Sequence, residues 1–312
     1  MAKRAGVVLE RDDVTILDTN AMPWEDHFYG GTKTKILTRF DDGAPLVQIV
    51  WIPAGLETFG DAPERHAHAV TERLLVFAGE FPIIEYEDFE DTVGERVVFK
   101  PGWYLDRRAG SVHGADPANP APVGFLCIEW REGRSYVGED GSETEVHHLD
   151  GPVSPKPQAN DPAKTGGGVY ERDNVTILDT TAMAWEDHHY PGFKAKILSR
   201  DANGAPSVQL VWMPPALTSF DEKAARHAHT NADEWVLLLA GEISMREYES
   251  FDDTVGETVV LKPGYYVDRR RGSVHGADPA DPSPVGALWL AWRTGPHYLG
   301  EPGAENDIDY LE

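Results

Sequence analysis

The sequence predicts an all-β protein built as two tandem barrels. Three features carry that expectation. The chain repeats itself once, each repeat is a series of short apolar runs of β type, and turns rich in glycine and proline separate the runs. A length of 312 residues suits two domains of about 150 each.

The duplication comes first because it sets the boundaries. ERDDVTILDTNAMPWEDHFY, from Glu10 to Tyr29, recurs as ERDNVTILDTTAMAWEDHHY, from Glu171 to Tyr190, at an offset of 161 residues. DTVGERVVFKPGWYLDRRAGSVHGADP recurs as DTVGETVVLKPGYYVDRRRGSVHGADP at an offset of 162. The extra residue falls between His229 and Glu234. The expected domains are residues 7–150 and 169–312. Residues 151–168, rich in proline, glycine and small polar residues, read as a linker. His147 and His148 precede it and read as surface residues.

Within the first repeat the runs KTKILTRF, PLVQIVWIP, RLLVFAGEF, ERVVFKPG and GFLCIEWRE are dense in branched and aromatic residues. In the second, KAKILSR, SVQLVWMP, EWVLLLAGEI, ETVVLKPG and GALWLAWRT follow in the same order. Each is of strand length, and none sustains a helical period. A small closed barrel gives such strands a protected interior into which alternate side chains point.

A formal charge of −25 repels phosphate backbones and argues against a nucleic-acid partner. Cys127 is the sole cysteine, so no intrachain disulfide can form; its counterpart is Trp289, which marks a packing position. No apolar run suits a signal peptide or a membrane span, so a cytoplasmic location and no membrane partner are expected. A small-molecule substrate is the expected partner, and self-association is compatible with the sequence.

The chemistry concentrates in RHAHAVTERLLVFAG and RHAHTNADEWVLLLAG. His66 and His68 are two apart, as are His227 and His229, so on a strand each pair points to one face. Glu72 and Glu234 follow after a short break and can return to that face from the next strand; Asp233 beside Glu234 is a competing carboxylate. His113 and His275 come later, each three residues beyond a glycine (Gly110, Gly272) that can turn them inward. Three imidazoles and a carboxylate are a donor set for a divalent first-row metal, Fe(II), Mn(II), Ni(II) or Zn(II). Candidate ligands are therefore His66, His68, Glu72 and His113 in one repeat, and His227, His229, Glu234 and His275 in the other.

These spacings resemble a known family. HxH-x3-E-x6-G at His66, His68, Glu72 and Gly79, and HxH-x4-E-x6-G at His227, His229, Glu234 and Gly241, look like the first motif of the cupin superfamily. RxG-x2-H at Arg108, Gly110 and His113, and at Arg270, Gly272 and His275, resembles the second, with arginine where proline is usual. The resemblance spans nearly the whole chain and implies a bicupin, two double-stranded β-helix (jelly-roll) barrels. Trp24 and Trp185, the KxKIL strand and the GSVH turn bring each repeat nearest to the ChrR-like anti-sigma domains and the acetylacetone- and dihydroxyacetophenone-cleaving dioxygenases.

With Fe(II), that resemblance implies a dioxygenase acting on a small keto, diketo or aryl-ketone compound. With zinc or manganese, the same ligands suit a redox-neutral lyase or isomerase. A non-catalytic metal or small-ligand sensor is the third reading. Arg107, Arg108, Arg269 and Arg270 are expected mainly in surface ion pairs with Asp106 and Asp268. An inward arginine would instead favour an anionic substrate. His27 and His188, in the repeated WEDH, are expected to support the first strands, with an acid–base role as the alternative. Trp130 and Trp292 read as core or cavity wall.

Overall fold

The computed structural model describes residues 4–27, 29–41, 43–56, 65–116, 121–132, 167–202, 204–215, 226–278 and 283–294, and the backbone of 308–310. His147 and His148 lie outside the described residues.

The strands of the first half are β1 (Val7–Glu10), β2 (Val14–Asp18), β3 (Glu25–Asp26), β4 (Lys33–Arg39), β5 (Pro45–Ile52), β6 (His66–Ala67), β7 (Glu72–Gly79), β8 (Phe81–Glu85), β9 (Glu95–Phe99), β10 (Trp103–Arg107), β11 (Val112–Ala115) and β12 (Phe125–Arg131). Those of the second are β13 (Gly168–Arg172), β14 (Val175–Asp179), β15 (Glu186–Asp187), β16 (Lys194–Arg200), β17 (Pro206–Met213), β18 (His227–His229), β19 (Glu234–Gly241), β20 (Ile243–Tyr248), β21 (Glu257–Leu261), β22 (Tyr265–Arg269), β23 (Val274–Ala277), β24 (Ala287–Arg293) and β25 (Ile308–Tyr310). All ten apolar runs singled out in the sequence are strands. Among the described residues no helix is long and apolar enough to cross a membrane.

The chain divides into two compact units, residues 23–183 and residues 1–22 with 184–312. In the first, one sheet runs β13-β14-β10-β7-β12-β5-β4-β3 and a smaller one β6-β11-β8-β9. In the second, the large sheet runs β1-β2-β22-β19-β24-β17-β16-β15 and the smaller β21-β20-β23-β18-β25. These units are offset from the sequence repeats. The hairpin β1–β2 pairs with β22, Ile16 opposite Val267, and the hairpin β13–β14 pairs with β10, Ile177 opposite Leu105. Each barrel thus takes its first hairpin from the other repeat.

Near-identity of the hairpins explains why the exchange is invisible in sequence. VTILD at Val14–Asp18 and VTILD at Val175–Asp179 present the same alternating face to either partner strand. Ile177 joins Val50, Leu74, Phe99, Leu105 and Cys127 in the first core, and Ile16 joins Val211, Met213, Leu238 and Val267 in the second. Both isoleucines are fully buried, a contribution of roughly 1.5–3 kcal/mol each.

The exchange also accounts for the arginine that replaces proline in the second motif. The Arg108 N–H donates to the Asn174 carbonyl and the Arg270 N–H to the Asp13 carbonyl, each at 2.8 Å. A proline has no N–H to give. The motif glycines answer a different demand. Gly79 has φ +80°, and a Cβ there would sit 2.1 Å from the Gly124 carbonyl oxygen; Gly241 repeats this against Gly286 at 2.0 Å.

Candidate metal centres

Antiparallel pairing places His66 directly opposite His113 and His227 directly opposite His275. The alternation of the strand then brings His68 and His229 to the same interior face. Ring centroids are 4.3 Å apart for His66–His113, 5.1 Å for His66–His68 and 5.2 Å for His68–His113. The second barrel reproduces these at 4.4, 5.3 and 5.4 Å. In each triad one ligand nitrogen per histidine lies within 4.8 Å of the others, and all six imidazoles are buried. Gly110, at φ +81°, donates its N–H to the His68 carbonyl, which ties the turn before His113 to the first pair.

Backbone contacts orient the rings further. His113 Nδ1 lies 3.1 Å from the Ser111 carbonyl, and His275 Nδ1 lies 3.1 Å from the Ser273 carbonyl. A proton on Nδ1 donated to that carbonyl leaves Nε2 with its lone pair turned to the centre.

The carboxylates sit beside the triads and are shared with arginines. Glu72 Oε1 is 3.6 Å from His68 Nε2, and Oε2 is 3.9 Å from His113 Nε2. Arg107 reaches Oε2 at 2.5 Å and Arg131 reaches Oε1 at 3.2 Å. Glu234 is closer, 3.4 Å from both His229 and His275, and is held by Arg269 and Arg293. Asp233 instead accepts from the Arg271 N–H, which leaves Glu234 as the carboxylate at the second triad.

Arg107 and Arg269 are not at the surface. Both are buried, and each bridges two carboxylates: Glu72 and Glu85, or Glu234 and Glu247. A guanidinium so engaged does not serve as a clamp for an anionic substrate. Arg108 and Arg270 pair with Asp106 and Asp268 at 3.1 and 3.9 Å, but these are not surface pairs, since both aspartates are buried. Glu85 and Glu247 were not singled out in the sequence. Their only signal there is a glutamate followed by tyrosine at the same place in both repeats, after the apolar FPII in the first and the mixed ISMR in the second.

Burial pushes His68, His113, His227 and His229 well below the ordinary imidazole range, His229 to about 3. Burial alone would raise the Glu72 and Glu234 carboxyls. The neighbouring histidines and arginines overcome it and hold both below the usual range. The result is neutral imidazoles beside ionised carboxylates, the protonation state a divalent cation requires.

The unfolded histidines take up protons as pH falls through about 6.5, while the folded ones do not, so folded-state stability is lost as pH falls below that value. The carboxylates add to the loss below about 4.5. Metal-free protein should therefore melt highest above about pH 7 and progressively lower between pH 6.5 and 4, followed by scanning calorimetry. A flat profile would contradict the lowered, buried His68, His113, His227 and His229.

Each triad opens on a small cavity, about 120 Å³ in the first barrel and about 100 Å³ in the second. The walls are mostly apolar, with Phe81, Phe99 and Phe125 in the first cavity and Phe193, Leu261 and Trp289 in the second. His27 and His188 also line the cavities, beyond the supporting role expected of them. Burial and nearby Arg131 lower His27 to about 4. Trp130 and Trp292 pack into the core against Tyr104 and Tyr266.

No protein-family model matches the sequence, and no curated protein matches it. Solved structures do match the fold. A Nostoc punctiforme protein proposed to be a dioxygenase superposes with a TM-score of 0.57 at 14% identity, over 96% of this chain and 87% of its own. A variant of Bacillus subtilis oxalate decarboxylase gives 0.54 at 12% identity, over 95% and 79%. Escherichia coli YlbA gives 0.53 at 12% identity, over 95% and 96%. These neighbours are cupins. Their superposition over almost the full chain, with the duplicated barrels and paired histidine triads, shows that this protein has the two-barrel cupin fold.

Proposed function

We propose that the chain is a metal-dependent enzyme with one divalent ion at each histidine triad, acting as a non-haem Fe(II) dioxygenase on a small keto, diketo or aryl-ketone compound. The observation that carries the reading is the convergence, twice, of three buried imidazoles on a mostly apolar cavity. His66, His68 and His113, and His227, His229 and His275, would hold the ions, with Glu72 and Glu234 alongside as the fourth donors. A bound Fe(II) would supply the electrons for dioxygen chemistry.

The chain's own residues do the rest. The Ser111 and Ser273 carbonyls hold His113 and His275 in one tautomer. Arg107 and Arg131 keep Glu72 ionised and fix its orientation. The aromatic and aliphatic walls exclude water and favour an uncharged substrate. Iron-loaded protein should consume oxygen with 2,4-pentanedione or 2-hydroxyacetophenone, and the joint His66→Ala, His227→Ala variant should lose at least about 100-fold of that rate. Purely zinc content in the purified protein, with no oxygen uptake, would remove the reading.

One observation favours a redox-neutral lyase or isomerase with Mn(II), Ni(II) or Zn(II). Glu129 lines the first cavity, and burial raises its carboxyl despite Arg131 beside it. Such a group suits proton transfer to or from a carbonyl compound in the cavity. Turnover unchanged without oxygen would select this alternative.

A further inference from the structure

The two cavities differ at one cross-strand pair. In the first barrel Gln48 lies opposite Glu129; in the second Gln209 lies opposite Ala291. Gln48 is fully occupied by its neighbours. Its Nε2 donates to Glu129, and its Oε1 accepts from Thr34 Oγ1 at 2.9 Å. Both partners are missing from the second barrel, where Ala195 replaces Thr34 and Ala291 replaces Glu129. Gln209 is 3% exposed, its Oε1 has no hydrogen-bond partner among the described residues, and it lines the cavity.

A buried amide oxygen left without a donor is costly, and on a cavity wall a ligand's O–H or N–H would remove that cost. Two further exchanges shape the same cavity. Trp289 stands where the first barrel has Cys127, and Phe193 where it has Thr32. Their rings meet edge to face, with centroids 6.0 Å apart and planes at 82°. Flat apolar surface and an amide acceptor without a partner among the described residues thus face one small space.

We propose that the second cavity selects a neutral ligand with a planar ring and a hydroxyl or N–H donor, the ring lying against Trp289 and Phe193 and the donor bonding to Gln209 Oε1. The first cavity, with Glu129 at its wall and Gln48 already engaged, selects by a different group. The two barrels then recognise different ligands. This inference rests on the reading of the cavities as small-molecule sites.

The test compares benzyl alcohol with ethylbenzene, near-isosteric probes of which only the first donates a hydrogen bond. Binding to the full chain is followed by tryptophan fluorescence, with Trp289→Phe assigning the signal to the second cavity. The ratio of the two affinities should shift toward ethylbenzene by about five- to tenfold in Gln209→Leu, the worth of one buried hydrogen bond. Joint Ala195→Thr and Ala291→Glu, which restores the partners found in the first barrel, should produce a shift in the same direction. Gln209→Leu removes an unpaired polar atom and should melt no lower than the parent, so a folding failure does not obscure the result. A ratio unchanged within twofold in both variants overturns the inference alone. Binding of neither probe to the parent overturns the inference together with the reading beneath it.

Discussion

Protein reconstituted with Fe(II) or Mn(II) should hold two equivalents of metal per chain, and joint His66→Ala and His113→Ala should leave one. The two imidazoles lie directly across the β6–β11 pair, so their removal takes away two of three converging donors from one triad. A remaining histidine and a carboxylate already shared by two arginines do not retain an ion at micromolar concentration. The second triad is built on β18 and β23, with Glu234 alongside on β19, and should keep its ion. Elemental analysis after dialysis gives the count directly. Two equivalents in the variant would show that the ion sits elsewhere.

Replacement of Arg269 by methionine should destabilise the protein by about 3–5 kcal/mol, the loss expected when one member of a buried ionic network is removed. For a unit of this size the melting temperature should fall by roughly 10 °C. Arg269 is 2% exposed and lies between Glu234 at 2.8 Å and Glu247 at 2.5 Å. Without it two carboxylates remain in the interior, Glu234 paired with Arg293. Adding Glu247→Gln to the variant should recover part of the loss, because one stranded charge is then gone. Thermal denaturation monitored by circular dichroism provides the comparison; a drop below about 1 kcal/mol would mean that the network contributes little.

The histidines of both centres were legible because their spacing carries geometry. Two residues apart on a strand means one face, and a glycine three residues ahead of His113 or His275 means a turn. The strands were legible from composition, since KTKILTRF and PLVQIVWIP have no other stable use. Arg107 was read as a surface residue because charge patterning beside Asp106 cannot tell which of two adjacent arginines faces inward. On a strand the answer depends on register alone, and register placed Arg107 opposite Glu72. Glu85 escaped notice for the converse reason, since a lone glutamate in a short strand has no pattern until its partner is known. The offset between repeats and barrels could not be seen at all, because β2 and β14 carry the same five residues and either would fit either sheet.

That exchange of hairpins bears on how the polypeptide is made. During synthesis the segment Val7–Asp18 emerges long before the strand that receives it, Tyr265–Arg269. The earlier barrel is likewise left with a bare edge at Trp103–Arg107 until Val175–Asp179 has been translated. Neither barrel can close before its hairpin and the strand that receives it have both been translated, so completion of each waits on distant sequence from the other repeat.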